Sequence, residues 1–167
     1  IGGLLMEILK GKSVYGGIAI GKIKYWQKAN HIVKRYHITN IEQEKERFMQ
    51  AKIMTVQQLG ELYQKAVKEV GEEGAAIFEI HQMMLDDADY INSIENIITN
   101  QKLNAEYAVA NTCDNFCKMF ENMDDSYIRA RSQDVKDIST RLIGTLIGKS
   151  NSEIPDDDNL IIASDDL

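Results

Sequence analysis

Residues 39–71 read TNIEQEKERFMQAKIMTVQQLGELYQKAVKEVG, and the fold turns on them. Just upstream, Ile18, Ile20, Ile23 and Tyr25 alternate with Lys22 and Lys24 in a strand-like period of two. From Thr39 onward the period lengthens. Val56, Leu59, Tyr63, Ala66 and Val70 recur at steps of three and four, the stripe of an amphipathic helix. Thr39-Asn40-Ile41-Glu42 has the form of a capping box, in which the Thr39 hydroxyl and Glu42 carboxylate satisfy free backbone N–H groups. Gly71 is the expected stop.

The helical period persists far beyond this segment. A second helix is predicted over Glu72 to Leu85, and Asp86-Asp87-Ala88-Asp89 breaks or bends it. Ile91, Ile94, Ile97 and Ile98 mark a third segment over Tyr90 to Thr99. Asn104 can cap the next helix, with Val109, Cys113, Phe116, Phe120 and Met123 as its stripe. The last runs from Ser126 to Ile147 on Val135, Ile138, Leu142 and Leu146, and Gly148 suits its C-terminal stop. The only proline is Pro155, so nothing between Thr39 and Gly148 removes a helical donor.

Single apolar stripes bury against one another, so the expected fold is mainly α: an antiparallel helical bundle of two helical hairpins. It covers 39–148. Strand-like material lies on both sides, at 6–38 (with a short second strand over Ile32 to Tyr36) and at 155–167, where an acidic link over Ser150 to Asp158 gives way to strand character from Asn159. Two or three strands without a crossover helix make an incomplete α/β unit. Met6 is a candidate native start, which would leave 1–5 as a remnant of cloning.

Composition narrows the partners. The net charge is −7, which disfavours a phosphate backbone, and Lys22, Lys24, Lys28, Lys34 and Arg35 are too scattered to form a basic stripe. No apolar run is long enough to span a membrane, and the opening Ile-Gly-Gly-Leu-Leu-Met6 is not expected to be a secretory leader, since it has no basic residue and no cleavage-site pattern. Cys113 and Cys117 lie within a helical pattern with no disulfide framework, so the cytoplasm is the expected compartment.

Few residues suggest chemistry. Gly16-Gly17-Ile18-Ala19-Ile20-Gly21-Lys22 matches the start of a phosphate-binding loop. Ile23, however, stands where a magnesium-binding hydroxyl is needed, and the loop leads into a strand, so it reads as a glycine turn. Cys113 and Cys117 are spaced to touch one ion, but no histidine joins them and two ligands do not close a zinc site; core packing is the expectation. His31 and His37 read as surface residues. His81, between Glu79 and Met83, reads either as a half-buried helix residue or as part of a binding surface. No metal site and no catalytic set emerges.

One charge pattern stands out. Between Lys68 and Lys102 there is no Lys or Arg in 33 residues, whereas eight acids occur: Glu69, Glu72, Glu73, Glu79, Asp86, Asp87, Asp89 and Glu95. A solvated helix ordinarily mixes signs at i, i+4. Ala76, Ile77, Ile80, Met83, Met84 and Leu85 interleave with these acids, so the helix is apolar on more than one side. One side suits the bundle. The other suits either a solvated acidic face or a dock for a basic protein.

Four stretches, in order, resemble enzyme I of the bacterial phosphoenolpyruvate:sugar phosphotransferase system. Gly17-Ile-Ala-Ile-Gly-Lys22 resembles that family's opening strand, and Gly71-Glu-Glu-Gly-Ala-Ala-Ile-Phe-Glu-Ile-His-Gln-Met-Met-Leu-Asp-Asp87 its second helix. Asp125-Ser-Tyr-Ile-Arg-Ala-Arg-Ser-Gln-Asp-Val-Lys-Asp-Ile138 is similar to the start of its last bundle helix, and Leu160-Ile-Ile-Ala-Ser-Asp-Asp-Leu167 to the strand re-entering its phosphohistidine domain. Gly74 stands where that family commonly carries a charge.

The resemblance implies that 39–148 binds the small carrier protein HPr, and that the flanking strands belong to a swivelling phosphohistidine domain. It carries the partner contacts to Glu72, Glu73, Ala76, Ile77, Glu79, Met83, Met84, Asp87, Asp89 and Arg131. It implies a longer enzyme that passes phosphate from phosphoenolpyruvate through a histidine to HPr for sugar uptake. That histidine is expected beyond Leu167, so this chain alone is expected to be inactive and to need no cofactor. Magnesium binding and homodimerisation are implied for a C-terminal domain. Two other readings stay open: a stand-alone helical interaction module, and a member of the nitrogen-related phosphotransferase branch.

Overall fold

The computed structural model describes residues 16, 18, 20–25, 32–148 and 160–163, apart from the side chain of Tyr127. Gly17 and Ala19 of the glycine stretch, His31, the acidic link through Asp158 and the end of the chain from Ser164 lie outside the described residues. Two compact units result, one holding the strands and the other the helices.

In the strand unit, β1 (Lys22–Tyr25) pairs with β2 (Leu160–Ala163) in parallel, with Lys22 opposite Leu160 and Tyr25 opposite Ala163. Parallel neighbours need a crossover, and in this chain the helical unit lies between them in sequence. β1 is shorter than the alternating pattern suggests, since Ile18 and Ile20 lie outside it. The glycine stretch does lead into a strand, so the first N–H groups of a helix are not presented there.

The helical unit contains α1 (Ile41–Leu85), α2 (Ala88–Gln101), α3 (Ala105–Glu121) and α4 (Ser126–Ile147). α1 is two arms, 41–70 and 72–85, joined at Gly71, whose φ of 81° and ψ of 173° are not helical. The arms run antiparallel. Lys52 Nζ meets Asp86 Oδ1 at 2.6 Å, and a Cβ placed on Gly60 would lie 3.4 Å from Gln82 Nε2. α3 and α4 form the second hairpin, with Cys117 Sγ 3.4 Å from the Ser132 carbonyl and Cys113 Sγ 3.8 Å from that of Val135.

The core draws on all four helices: Phe48 and Leu59 of α1, Ile94 and Ile98 of α2, Val109 of α3, and Val135, Ile138 and Leu142 of α4 are fully buried. The first-arm stripe is buried as far as Leu59 only; Val70 is 65 % exposed.

Two local expectations need correction. Asn40, not Thr39, caps α1: its Oδ1 accepts from Gln43 N at 3.1 Å. A short amide side chain at the extended residue immediately before the helix reaches this N–H group. Residues 32–36 do not form a strand of a sheet. Together with His37 and Ile38 they lie against the α2–α3 turn through Tyr36, whose carbonyl accepts from Asn104 N at 3.2 Å and whose N–H donates to the Asn104 side chain, and through Ile38 N, which donates to Lys102 O at 2.9 Å.

Asn104 explains that attachment. Its side chain does not cap α3, although the residue occupies the capping position. Instead Oδ1 accepts from Tyr36 N at 3.1 Å, and Nδ2 donates to the Lys34 carbonyl at 3.1 Å and to Glu106 Oε2 at 2.9 Å. Glu44 of α1 supplies an acceptor for α3, taking the Ala105 N–H at 2.6 Å. Arg47 joins Glu44 and Glu106 and also reaches the Leu146 carbonyl at 3.2 Å, so one guanidinium fastens three helices.

Candidate functional site

The second arm of α1 carries most of the predicted contact residues, and helix geometry sorts them. Ala75, Phe78, Gln82 and Leu85 recur at steps of three and four. Ala75 and Leu85 are buried, and Phe78 packs on the core. This inward stripe was missed in the sequence, where Leu85 was noted but Ala75 and Phe78 were not. With the inward face so occupied, Glu73, Ala76, Ile80 and Met83 point away from it.

Met83 is 73 % exposed and Ile77 38 %. Glu72 and Glu79 run along the border nearest the first arm. There burial, and then the Glu79 and Glu72 carboxylates, push the Tyr63 phenol above its ordinary value. Ile77 and half-buried Met84 form the other border, toward α4.

The eight acids divide by role. Asp86 pairs with Lys52, and Glu95 with Lys45 at 3.6 Å. Asp87 caps α2, its Oδ1 accepting from Asp89 N and Tyr90 N at 3.0 Å each. Glu69, Glu72, Glu73, Glu79 and Asp89 make no side-chain hydrogen bond or ion pair among the described residues. Apolar Ala76, Ile77 and Met83 therefore sit among uncompensated carboxylates.

Arg131 comes from α4. Its Nη1 donates to Asp134 Oδ2 at 3.1 Å, and Asp134 Oδ1 faces His81 Nε2 of the second arm across 3.7 Å. The expected contacts on α1 and α4 are thus linked through Asp134, which the sequence reading passed over. The i, i+3 spacing of Arg131 and Asp134 was the available signal. His81 is half-buried in the arm–α4 boundary, as one of its two sequence readings has it.

Other candidates carry little chemistry. Cys113 and Cys117 are free thiols 3.9 Å apart. Burial and the neighbouring Cys113 push the Cys117 thiol up to about 12, which disfavours the metal-binding thiolate. No group of three or more His, Cys, Asp or Glu side chains is gathered among the described residues. No described helix is long and apolar enough to cross a membrane.

The family described as PEP-utilising enzyme, N-terminal, matches residues 10–131. The chain belongs to this family. It is 35 % identical over 159 residues to the phosphoenolpyruvate-protein phosphotransferase of Listeria monocytogenes, covering 94 % of this chain and 28 % of that protein. It is 33 % identical over 166 residues to the Bacillus subtilis protein of the same name, covering 97 % of this chain and 29 % of that one. The chain therefore spans less than a third of the length of these relatives.

Among solved structures, an NMR solution structure of Enzyme I superposes with a TM-score of 0.76 at 30 % identity, covering 89 % of this chain and 61 % of that one. The N-terminal domain of Enzyme 1 - Nitrogen superposes with a TM-score of 0.68 at 21 % identity, covering 83 % and 58 %, and shares the fold. The mainly helical fold with a small two-stranded parallel sheet is thus the fold of Enzyme I N-terminal domains.

Proposed function

We propose that the helical unit is the carrier-docking part of a phosphoenolpyruvate-protein phosphotransferase, and that its partner is HPr. One observation carries the reading: Met83 and Ile77 are exposed on a helix face whose Glu72, Glu73 and Glu79 carboxylates lack a compensating base. Carboxylates of one sign steer a basic surface into encounter, and methionine adapts its shape to an apolar partner. Asp87, Asp89 and Arg131 extend the surface beyond the arm. In this reading the constellation contributes recognition, and phosphoryl transfer is assigned to other residues of the whole enzyme. The transfer from phosphoenolpyruvate through a histidine, the magnesium that assists it, dimerisation and a role in cytoplasmic sugar uptake are proposed for the whole enzyme.

Titration of labelled HPr into the protein tests the dock. Binding is expected at low salt and to weaken at high salt, since exposed charges are screened within about 10 Å at 0.1 M. Glu72→Lys with Glu73→Lys is expected to weaken association roughly tenfold, chiefly through the on-rate. Equal binding at both salt concentrations, or none at low salt, counts against the proposal. Incubation with labelled phosphoenolpyruvate and magnesium is expected to leave His37 and His81 unphosphorylated.

A further inference from the structure

Asp134 divides its carboxylate between two elements. Oδ2 accepts from Arg131 Nη1 at 3.1 Å, one turn earlier on α4, and Oδ1 faces His81 Nε2 across 3.7 Å on the second arm of α1. That nitrogen is buried and has no hydrogen-bond partner among the described residues, and the gap to Asp134 is slightly too wide for a bond.

Most of the proposed docking residues belong to the same two elements; Asp87 and Asp89 lie at the start of α2. Glu72 to Met84 ride on a short arm that reverses at Gly71, whereas Arg131 rides on α4. A partner that engages both needs them in fixed register. Apolar packing along the arm is non-directional, whereas the Arg131–Asp134 hydrogen bond is directional and the Asp134 charge facing His81 adds an electrostatic contact. We infer that Asp134 is the positioning residue of the docking surface, holding Arg131 in register with the second arm through His81. The inference rests on the reading of this face as a dock. It adds a residue that is set behind the surface and acts through Arg131 and His81.

Three measurements on Asp134→Asn, Asp134→Ala and His81→Gln test it: HPr affinity, amide hydrogen exchange, and the imidazole titration of His81 followed by NMR. Asp134→Ala is expected to weaken HPr binding about tenfold and to speed exchange of second-arm amides by a similar factor, with first-arm amides near Phe48 and Leu59 unchanged. Asp134→Asn, which keeps an acceptor for Arg131, is expected to have a smaller effect on exchange. It should still move the His81 titration to lower pH, because a carboxylate favours the imidazolium.

Unchanged second-arm exchange together with an unchanged His81 titration overturns the inference. So does uniformly faster exchange across all helices, which marks a general loss of stability. If Glu72→Lys with Glu73→Lys weakens HPr binding while Asp134→Ala does not, the dock stands and the role of Asp134 falls. If neither weakens it, both fall.

Discussion

Lys52 and Asp86 close the open end of the α1 hairpin, with Nζ 2.6 Å from Oδ1. The Lys52 stem is largely covered while the Asp86 carboxylate faces solvent, so the pair is partly screened and contributes modestly. Asp86→Asn is expected to lower stability by about 0.5–1 kcal/mol in low salt and by less in about 1 M salt. Lys52→Met keeps the buried stem and is expected to cost less than Lys52→Ala. Urea denaturation at the two salt concentrations checks both. Equal losses for Asp86→Asn in each would remove the ion pair from the account.

The other end of the hairpin depends on two glycines for different reasons. Gly71 has a φ of 81°, in the region that side chains avoid, and a Cβ there would meet nothing. Gly74 has ordinary backbone, but a Cβ there would lie 2.8 Å from Val70 Cγ2 and 3.2 Å from its Cβ. Gly71→Ala is expected to cost about 1–2 kcal/mol whatever its neighbours are. Gly74→Ala is expected to cost about 1 kcal/mol by crowding, and Val70→Ala in the same chain should recover most of it. Thermal unfolding of the four variants checks the contrast. A rescue of Gly71→Ala by Val70→Ala, or no rescue of Gly74→Ala, contradicts it.

What the sequence disclosed follows the range of the forces involved. Val135, Ile138 and Leu142 are buried as their spacing predicts, because a stripe on a helix with neighbours on one side leaves only one way to pack. Val70 has the same spacing and is exposed, since periodicity cannot say where neighbouring helices end. Ala75 escaped notice because a small residue adds little to an apolar pattern, yet it is fully buried. Asn104 read as a helix cap from local signals. Its actual partners, Lys34 and Tyr36, are far away in the chain, and no local rule reaches them. The face proposed as a dock was visible as a charge imbalance, but its link to Arg131 through Asp134 needed α1 and α4 to be side by side.

Asn104 gives the sharpest prediction for stability. It is buried and fastens the segment before α1 to the start of α3 through the Tyr36 N–H, the Lys34 carbonyl and the Glu106 carboxylate. Asn104→Leu has comparable bulk but leaves these groups without their partner, at an expected cost of about 3 kcal/mol. Asn104→Asp keeps the acceptor for Tyr36, loses both donations and puts a carboxylate beside Glu106. It is expected to be at least as damaging near neutral pH and less so in acid. A loss under about 1 kcal/mol for Asn104→Leu would mean that water replaces these contacts.

Two groups set the response to acid, and both act in the same direction. Burial pushes the Glu106 carboxyl up, but hydrogen bonds from Arg47 and Asn104 outweigh it and hold the group below its ordinary 4.5. Burial likewise holds the His81 imidazole below its ordinary 6.5, with the nearby Arg141 guanidinium adding to the effect and Asp134 and Asp137 opposing it; Arg131 touches the site through Asp134. In each case the unfolded chain binds the proton more readily, so stability is present above the ordinary value and lost as pH falls through the folded one. The His81 contribution is therefore expected to fade first, below 6.5, and that of Glu106 below 4.5. Urea midpoints measured from about pH 7 down to about pH 3 should fall in two stages. His81→Gln should flatten the upper stage and Glu106→Gln the lower. An upper stage that survives His81→Gln would assign it to another group, and a midpoint that rises on acidification would reverse the sign for both.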